Sequence, residues 1–365
     1  MKALKIAFLI LLPVSFVFGG LLALERPATA TAEQADNATE MVQETMVEVN
    51  EVALLLEYLT GKDLYLHRDN MEEALSVSAS EVFENLGNRR YHLVDLRNPE
   101  DFFPLHIPGA VLVEQTLIYD YLKSIPLDYI EKVVLICYAG QRASYVTGLL
   151  RLLGIEDVYF LRWGMSAWQG TVARDNWLRN LSNEYADDLV KPLTSAPADN
   201  ELPMIFTFKT TGREILHTRV VELLQEEFAN VRIRANEVMA DPMQFQIVVA
   251  DPKLKPEYTM APEGSLMLSL FDEANTTAQL NKLLPFNPIA IASVNGQTGG
   301  LVAAFLRTLG YDARFITSGL SAMAVDALQQ QNLPVFNLNE VKNFSTTATA
   351  PPVKTEAPRR VVAGC

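Results

Sequence analysis

The feature that most constrains this chain is an internal repeat with a period of 156 residues. Three blocks recur in the same order: ICYAGQR at residues 136–142 as ASVNGQT at 292–298, LRLLG at 150–154 as LRTLG at 306–310, and, one residue short of the same period, GMSA at 164–167 as GLSA at 319–322. Coincidence does not keep three blocks in order at nearly one spacing, so we interpret the chain as two copies of one structural unit. Its 365 residues are enough for two domains with cores of their own.

Each copy is predicted to be an α/β unit. In the first copy, residues 91–95, 133–136 and 158–161 are short apolar runs typical of buried strands. A helix is predicted from Ala143 to about Leu153, where Gly154 ends it. Strands that alternate with helices indicate a parallel sheet covered on both faces. The predicted fold is therefore α/β, with two doubly wound parallel-sheet domains in tandem.

The remaining segments give the predicted domain limits. An apolar stripe from Met41 to Leu59 predicts an amphipathic helix that ends at Gly61 and packs on the next domain or on a second subunit. The Thr/Ala/Pro-rich end of the chain predicts disorder. The segments are a targeting segment at 1–32, a helical extension at 33–75, the first copy at 76–182, a linker at 183–203, the second copy at 204–340 and a disordered tail at 341–365.

The strongest chemical signal is Cys137, which directly follows a buried strand and precedes a short loop and a helix. Such a loop gathers backbone N–H groups at a helix N-terminus, where they stabilise an anion. Arg142 adds a positive charge, and both effects are expected to lower the pKa of Cys137 and make the sulfur nucleophilic. The alternative is a buried structural cysteine, but a plain strand-to-helix turn needs neither Gly140 nor Arg142.

With these residues in view, the first copy resembles a rhodanese domain. Four motifs carry the resemblance: VDLRNPEDF at 94–102, HIPGA at 106–110, CYAGQR at 137–142 and GMSAW at 164–168. The resemblance implies a sulfurtransferase whose catalytic Cys137 carries a persulfide taken from thiosulfate or a similar donor. It also implies that the donor binds to the rest of the loop, made by Tyr138, Ala139, Gly140, Gln141 and Arg142. Related phosphatases of this fold have five residues between Cys and Arg, and the four found here favour sulfur chemistry.

The second copy departs from this pattern. Ser293 stands at the cysteine position and Thr298 at the arginine position. A serine without a base to activate it cannot carry a persulfide, so this copy is predicted to be catalytically silent. In the classical tandem enzymes of the family the active cysteine lies in the second copy, so their interdomain pocket cannot be assumed here.

Five residues near the motifs are predicted to be structural. Asp95 and Arg97 are expected to form an ion pair near the end of a strand. His106 is expected to fix a turn by a hydrogen bond. Trp163 and Trp168 are expected to pack at the rim of the site.

The amino terminus reads as a secretory signal. Lys2 and Lys5 precede an apolar run at residues 6–24, and the alternating small residues before Ala32 predict cleavage there. The predicted location is therefore secreted or periplasmic. The alternative is an uncleaved segment that anchors the protein to a membrane.

Composition limits the partners and cofactors. A formal net charge of −14 makes a nucleic-acid partner improbable, because phosphate binding needs a basic face. Two cysteines and four scattered histidines suggest no metal site, and no cofactor is predicted. The predicted partners are a small anionic sulfur donor and a thiol acceptor or sulfur-carrier protein, with membrane contact only if the amino-terminal segment is uncleaved.

Three functions stay open at this point. The leading hypothesis is an extracytoplasmic sulfurtransferase, and the second is a persulfide carrier or sulfur-compound binding module with little turnover of its own. The third is a thiol-redox protein that pairs Cys137 with Cys365, the other thiol of the chain. Cys365 is also a candidate sulfur acceptor on an arm, although a terminal cysteine is often incidental.

Overall fold

The structure, a computed structural model, describes residues 50–68 and 70–351. The α-helices of this part are α1 (Glu51–Leu59), α2 (Met71–Ala74), α3 (Ala79–Glu84), α4 (Pro99–Phe102), α5 (Ile118–Ser124), α6 (Gln141–Leu152), α7 (Met165–Trp168), α8 (Gly170–Asn176), α9 (Gly212–Gln225), α10 (Ala235–Ala240), α11 (Thr276–Leu280), α12 (Gln297–Thr308) and α13 (Val325–Gln330). Single 3₁₀ turns, such as Phe228–Val231, connect several of them.

The first copy forms a five-stranded parallel sheet. Its strands are β1 (Ser76–Val77), β2 (Tyr91–Asp95), β3 (Val111–Leu112), β4 (Lys132–Ile136) and β5 (Val158–Leu161), in the order β1-β5-β4-β2-β3. All neighbouring pairs are parallel. The strands predicted from the apolar runs are therefore confirmed. Because β4 is central, the residue after Ile136 lies in the middle of the carboxyl edge of the sheet.

The second copy repeats this topology. Its strands are β6 (Arg232–Ile233), β7 (Gln246–Val249), β8 (Leu266–Met267), β9 (Ile289–Ala292) and β10 (Ala313–Ile316), in the equivalent order β6-β10-β9-β7-β8. Helix α12 begins and ends 156 residues after α6, the period found in the sequence. The prediction of two α/β parallel-sheet units in tandem is confirmed.

The two copies share one apolar core. It contains side chains from one face of each sheet together with helices α1, α6, α9 and α12, which lie between the sheets. Helices α6 and α12 pack closely because small residues face each other: a Cβ added at Gly148 would lie 2.8 Å from the Cβ of Ala304. A Cβ added at Gly300 would lie 2.5 Å from Ser144 Oγ. Each sheet buries its other face in a separate core, so both sheets are covered on both sides.

The helical extension packs on the second copy. Helix α1 places Val52, Leu55 and Leu59 in the shared core and contacts α9. At its first residue the Glu51 carboxylate accepts hydrogen bonds from the backbone of Thr207 and Phe208, which fixes the start of the helix. The described part of this stripe therefore packs within the chain, but its helix contact is with the second copy rather than with the domain that directly follows it.

Two segments differ from the sequence prediction. Residues of the predicted linker pair with the second copy, where Val190 and Ala261 form an antiparallel bridge. The predicted disorder from residue 341 is wrong for residues 341–351, because Thr347 pairs with His106 of the first copy. Phe344 supplies the apolar contact that holds this segment in place, and we call residues 341–351 the strap.

Some predictions lie outside the described residues. These are the targeting segment, the helix before residue 50 and Cys365. Within residues 50–68 and 70–351, no helix combines the length and the apolar character needed to cross a membrane.

Candidate active site around Cys137

The backbone around Cys137 is a strand-to-helix turn fixed by glycines. Strand β4 ends at Ile136 and helix α6 begins at Gln141, with Gly140 between them at φ +77°, in the left-handed region that favours glycine. The GMSA turn packs directly on this loop: a Cβ at Gly164 would lie 2.4 Å from the Cys137 carbonyl oxygen. That carbonyl accepts a hydrogen bond from Met165 N at 2.8 Å. The GMSA turn therefore packs against the cysteine loop and supports its backbone.

The Cys137 sulfur lies inside the loop. Its residue is 3% exposed, and the Ala143 N–H donates to Sγ at 3.4 Å. Burial raises the pKa of the thiol, while backbone N–H groups of Ala143, Ala139 and Arg142 and the charge of Arg142 act in the opposite direction. The net direction differs from the sequence expectation of a lowered pKa. Removal of water from the sulfur outweighs the loop donors in this state of the protein.

The half-buried residues of the loop mark its accessible side. Tyr138 donates its hydroxyl proton to Asp101 at 2.5 Å, and burial with this hydrogen bond raises its pKa to about 12. Arg142 donates through Nη1 to the Leu96 carbonyl at 2.9 Å. Ala139 is half-buried beside them. Tyr138, Ala139 and Arg142 are therefore the partly exposed residues of this loop.

Gln141 does not point toward that side. It is buried, and its Oε1 accepts a hydrogen bond from Ser318 N of the second copy at 3.2 Å. The equivalent Gln297 accepts from Trp163 N of the first copy at 3.0 Å. Each glutamine thus joins the loop of its own copy to the residue that precedes the GMSA or GLSA turn of the other copy. The side chain of Gln141 therefore links the copies, and donor binding by the rest of this residue stays a prediction.

The second copy has the same loop geometry, with Ser293 at the cysteine position. Gly296 has φ +80°, and Ser293 Oγ accepts from Gly296 N at 3.0 Å and from Gly299 N at 3.1 Å. The hydroxyl oxygen of Ser293 occupies the place that Cys137 Sγ has in the first copy. The predicted serine at the cysteine position is therefore held by the loop as a hydrogen-bond acceptor.

The opening of the second loop is filled by Glu72 of helix α2, which is 2% exposed. Its carboxylate accepts from Asn295 Nδ2 at 3.2 and 3.3 Å and from Thr298 Oγ1 at 2.9 Å. Arg162 and Lys253 pair with it at 3.4 and 3.7 Å. Sequence reasoning missed Glu72, because nothing marks one acid of an extension as the partner of a loop more than two hundred residues away.

The residues predicted to be structural behave as expected. Asp95 and Arg97 form a buried ion pair at 2.9 Å. The His106 ring lies 2.8 Å from the Phe102 carbonyl through Nδ1 and stacks on the Phe102 ring. Trp163 and Trp168 are buried in the outer core of the first sheet.

The comparisons with known proteins agree with this arrangement. A family model for the rhodanese-like domain matches residues 78–171. The thiosulfate sulfurtransferase GlpE of Pseudomonas syringae pv. syringae is 31% identical over 83 residues, which are 23% of this chain and 76% of that protein. GlpE of Pseudoalteromonas translucida is 26% identical over 93 residues, 26% of this chain and 87% of that protein. A solved rhodanese-like domain protein from Staphylococcus aureus is 30% identical, covers 26% of this chain and 89% of that chain, and has a TM-score of 0.23.

The fold and the site define a class of α/β protein in which the central strand of a parallel sheet ends at a cysteine, and this cysteine lies in a loop at the N-terminus of a helix. The matches to the first copy then identify it: the chain belongs to the rhodanese-like family. It is a tandem rhodanese-like protein whose second copy lacks the cysteine. This membership supports a function of the sulfurtransferase type.

Proposed function

We propose that the chain is a sulfurtransferase that moves a sulfane sulfur from a small anionic donor to a thiol or cyanide acceptor through a persulfide on Cys137. One observation carries the proposal: Cys137 Sγ is held by backbone N–H groups of a loop whose accessible side presents the guanidinium of Arg142. N–H groups that point at the sulfur stabilise both a thiolate and the terminal sulfur anion of a persulfide.

The transfer is a balanced exchange of one sulfur atom. The Cys137 thiolate attacks the outer sulfur of thiosulfate, an S–S bond to Cys137 forms, and the S–S bond of the donor breaks to release sulfite. A cyanide or thiolate acceptor then takes the terminal sulfur and returns Cys137 to its thiolate. No general base is needed once the thiolate has formed.

Incubation of the protein with thiosulfate and cyanide tests the proposal, with thiocyanate as the product measured. Cys137→Ser is expected to abolish thiocyanate formation and to leave the thermal unfolding temperature nearly unchanged, because the second copy already holds a serine in the same loop. Thiocyanate formation by the serine variant at the wild-type rate would refute a role for Cys137.

A persulfide carrier with little turnover is the second candidate. The observation that favours it is the burial of Cys137 at 3% exposure, which limits access by an acceptor. Intact-mass measurement after thiosulfate treatment separates the two. A stable gain of one sulfur atom without thiocyanate supports the carrier, and rapid thiocyanate release supports the enzyme.

Two further proposals concern the ends of the chain. We retain Cys365 as a candidate sulfur acceptor, tested by locating the added sulfur among peptides of the treated protein and by the acceptor kinetics of Cys365→Ser. We also retain a secreted or periplasmic location, or a membrane anchor, on the sequence of residues 1–32. Cell fractionation with amino-terminal sequencing of the mature chain distinguishes these.

A further inference from the structure

Beside the Cys137 loop, an aromatic ring of the second copy carries two arginines. The guanidinium carbon of Arg142 lies 4.9 Å from the centre of the Phe228 ring. The guanidinium carbon of Arg232, the first residue of β6, lies 5.7 Å from the same centre. Phe228 is held in place by its contact with Phe315 of the shared core, at a ring separation of 5.9 Å. One fixed ring is thus contacted by a guanidinium group from each copy.

Within the described part of the chain, neither Arg142 nor Arg232 forms an ion pair, whereas the neighbouring Arg234 pairs with Glu237 at 4.0 Å. Burial, and then the charges of Arg142 and Arg234, lower the pKa of Arg232, and the charge of Glu237 opposes them only in part. The arginines therefore repel each other, and an anion between them would relieve that repulsion.

The charge of the whole protein makes this patch selective. A chain with a formal net charge of −14 repels small anions from most of its surface. Two unpaired guanidinium groups beside the loop create a local positive potential against that background. A dianion gains from both cations, whereas a monoanion is neutralised by one.

We propose that Arg232 of the second copy is a donor-binding residue, which with Arg142 selects dianionic sulfur donors for Cys137. The inference rests on the proposed sulfurtransferase function and names the charge class of its donor. The copy without a cysteine then contributes to the site by supplying its second cation. Sequence reasoning did not find Arg232 or Phe228, because no motif includes them.

The test compares Arg232→Gln with a control that removes the same charge elsewhere. Arg89 is exposed and precedes β2, so it lies at the end of the sheet opposite the cysteine loop. For Arg232→Gln we expect kcat/KM with thiosulfate to fall about tenfold, the loss of one charge-assisted contact. With mercaptopyruvate, a monoanionic donor, we expect a change of less than about threefold. Arg232→Lys, which keeps the charge, is expected to recover most of the thiosulfate activity, and Arg89→Gln to leave it unchanged.

Salt provides a second readout. The gap between the wild type and Arg232→Gln is expected to close as ionic strength rises toward 1 M, because salt screens exposed charges. Equal thiosulfate kinetics for Arg232→Gln and the wild type would overturn the proposal. An equal loss in Arg89→Gln would also overturn it, because the effect would then belong to net charge alone.

Binding without chemistry separates this inference from the proposed function. Thiosulfate titrated calorimetrically into Cys137→Ser is expected to bind about tenfold more tightly than into the Cys137→Ser, Arg232→Gln double variant. If the wild type forms neither thiocyanate nor a persulfide, the proposed function fails, and this difference in affinity still decides the anion site. Equal affinities of the two variants would refute the site whatever the activity.

Discussion

Glu72 offers a sharp test of how the second loop is held. The change is Glu72→Gln, which keeps the shape of the side chain and removes its charge. The matched control is Glu73→Gln, one residue on, whose side chain is 40% exposed while that of Glu72 is 1% exposed. Both carboxylates pair with Arg162 and Lys253, so the two variants differ mainly in burial and in the contacts with the loop.

The magnitude follows from these contacts. Hydrogen bonds to a charged group contribute about 1.5–3 kcal/mol each and neutral ones about 0.5–1.5 kcal/mol, so Asn295 and Thr298 together lose roughly 2 kcal/mol. Removing one member of a fully buried ion pair costs about 3–5 kcal/mol, but Arg162 and Lys253 keep Glu73 as a partner. We therefore expect Glu72→Gln to lower the free energy of unfolding by about 2–3 kcal/mol. Glu73→Gln is expected to cost about 1 kcal/mol or less, as for an exposed pair.

Urea unfolding at pH 7, followed by tryptophan fluorescence and by circular dichroism, measures both variants. Coincident transitions with an unchanged dependence on urea allow the midpoint shift to be converted into a free energy. A loss in Glu72→Gln no larger than that in Glu73→Gln would refute the reasoning, because the contacts with Asn295 and Thr298 would then contribute nothing measurable.

Four further predictions follow from the structure. Because the pKa of Cys137 is raised, the rate of persulfide formation is expected to increase with pH beyond pH 8; a rate that levels off below pH 7 in stopped-flow assays would contradict this. Burial raises the pKa of Asp251 to about 6, so its protonated form favours the folded state and its contribution is lost as pH rises through 6. From pH 4 to 7 this costs about 2 kcal/mol of unfolding free energy, and Asp251→Asn should flatten the pH profile measured by urea unfolding. Phe344 stacks on Phe83 with ring centres 4.0 Å apart, so Phe344→Ala is expected to cost about 1–2 kcal/mol and to raise hydrogen exchange in the strap; unchanged exchange there would be inconsistent with this contact. Deletion of residues 204–340 is expected to abolish cooperative unfolding of the first copy, and a sharp calorimetric transition in that fragment would show otherwise.

The sequence predicted the parts of the molecule that depend on local pattern. The strand at Tyr91–Asp95 and the strand at Val158–Leu161 have the predicted limits, because apolar runs of that length between turn signals have few other solutions. These features are set by neighbouring residues and by the repeat.

The sequence could not predict contacts that join distant segments. The strap is rich in Thr, Ala and Pro, and its order comes from the packing of Phe344 on Phe83 and Trp168 and from backbone hydrogen bonds to the first copy. Gln141 lies in a donor loop by sequence but is within reach of Ser318 only after the copies pack. The direction of the Cys137 pKa likewise depends on how completely the packed loop excludes water. Each of these three features depends on how two distant elements pack together. The periodicity of apolar residues in the sequence does not give that placement.

The arrangement gives a physical role to a copy that has Ser293 at the cysteine position. Helix α6, which follows Cys137, is buried along almost its whole length, against its own sheet on one side and α12 on the other. On its outer face, Gly148 and Ser144 are fitted to residues of α12. The second loop has Ser293 and Thr298 in place of Cys and Arg and still keeps this packing, because Ser293 satisfies the loop donors and Glu72 fills the opening. The second copy therefore fixes the position of α6, and hence of Cys137, through contacts that need no cysteine of its own.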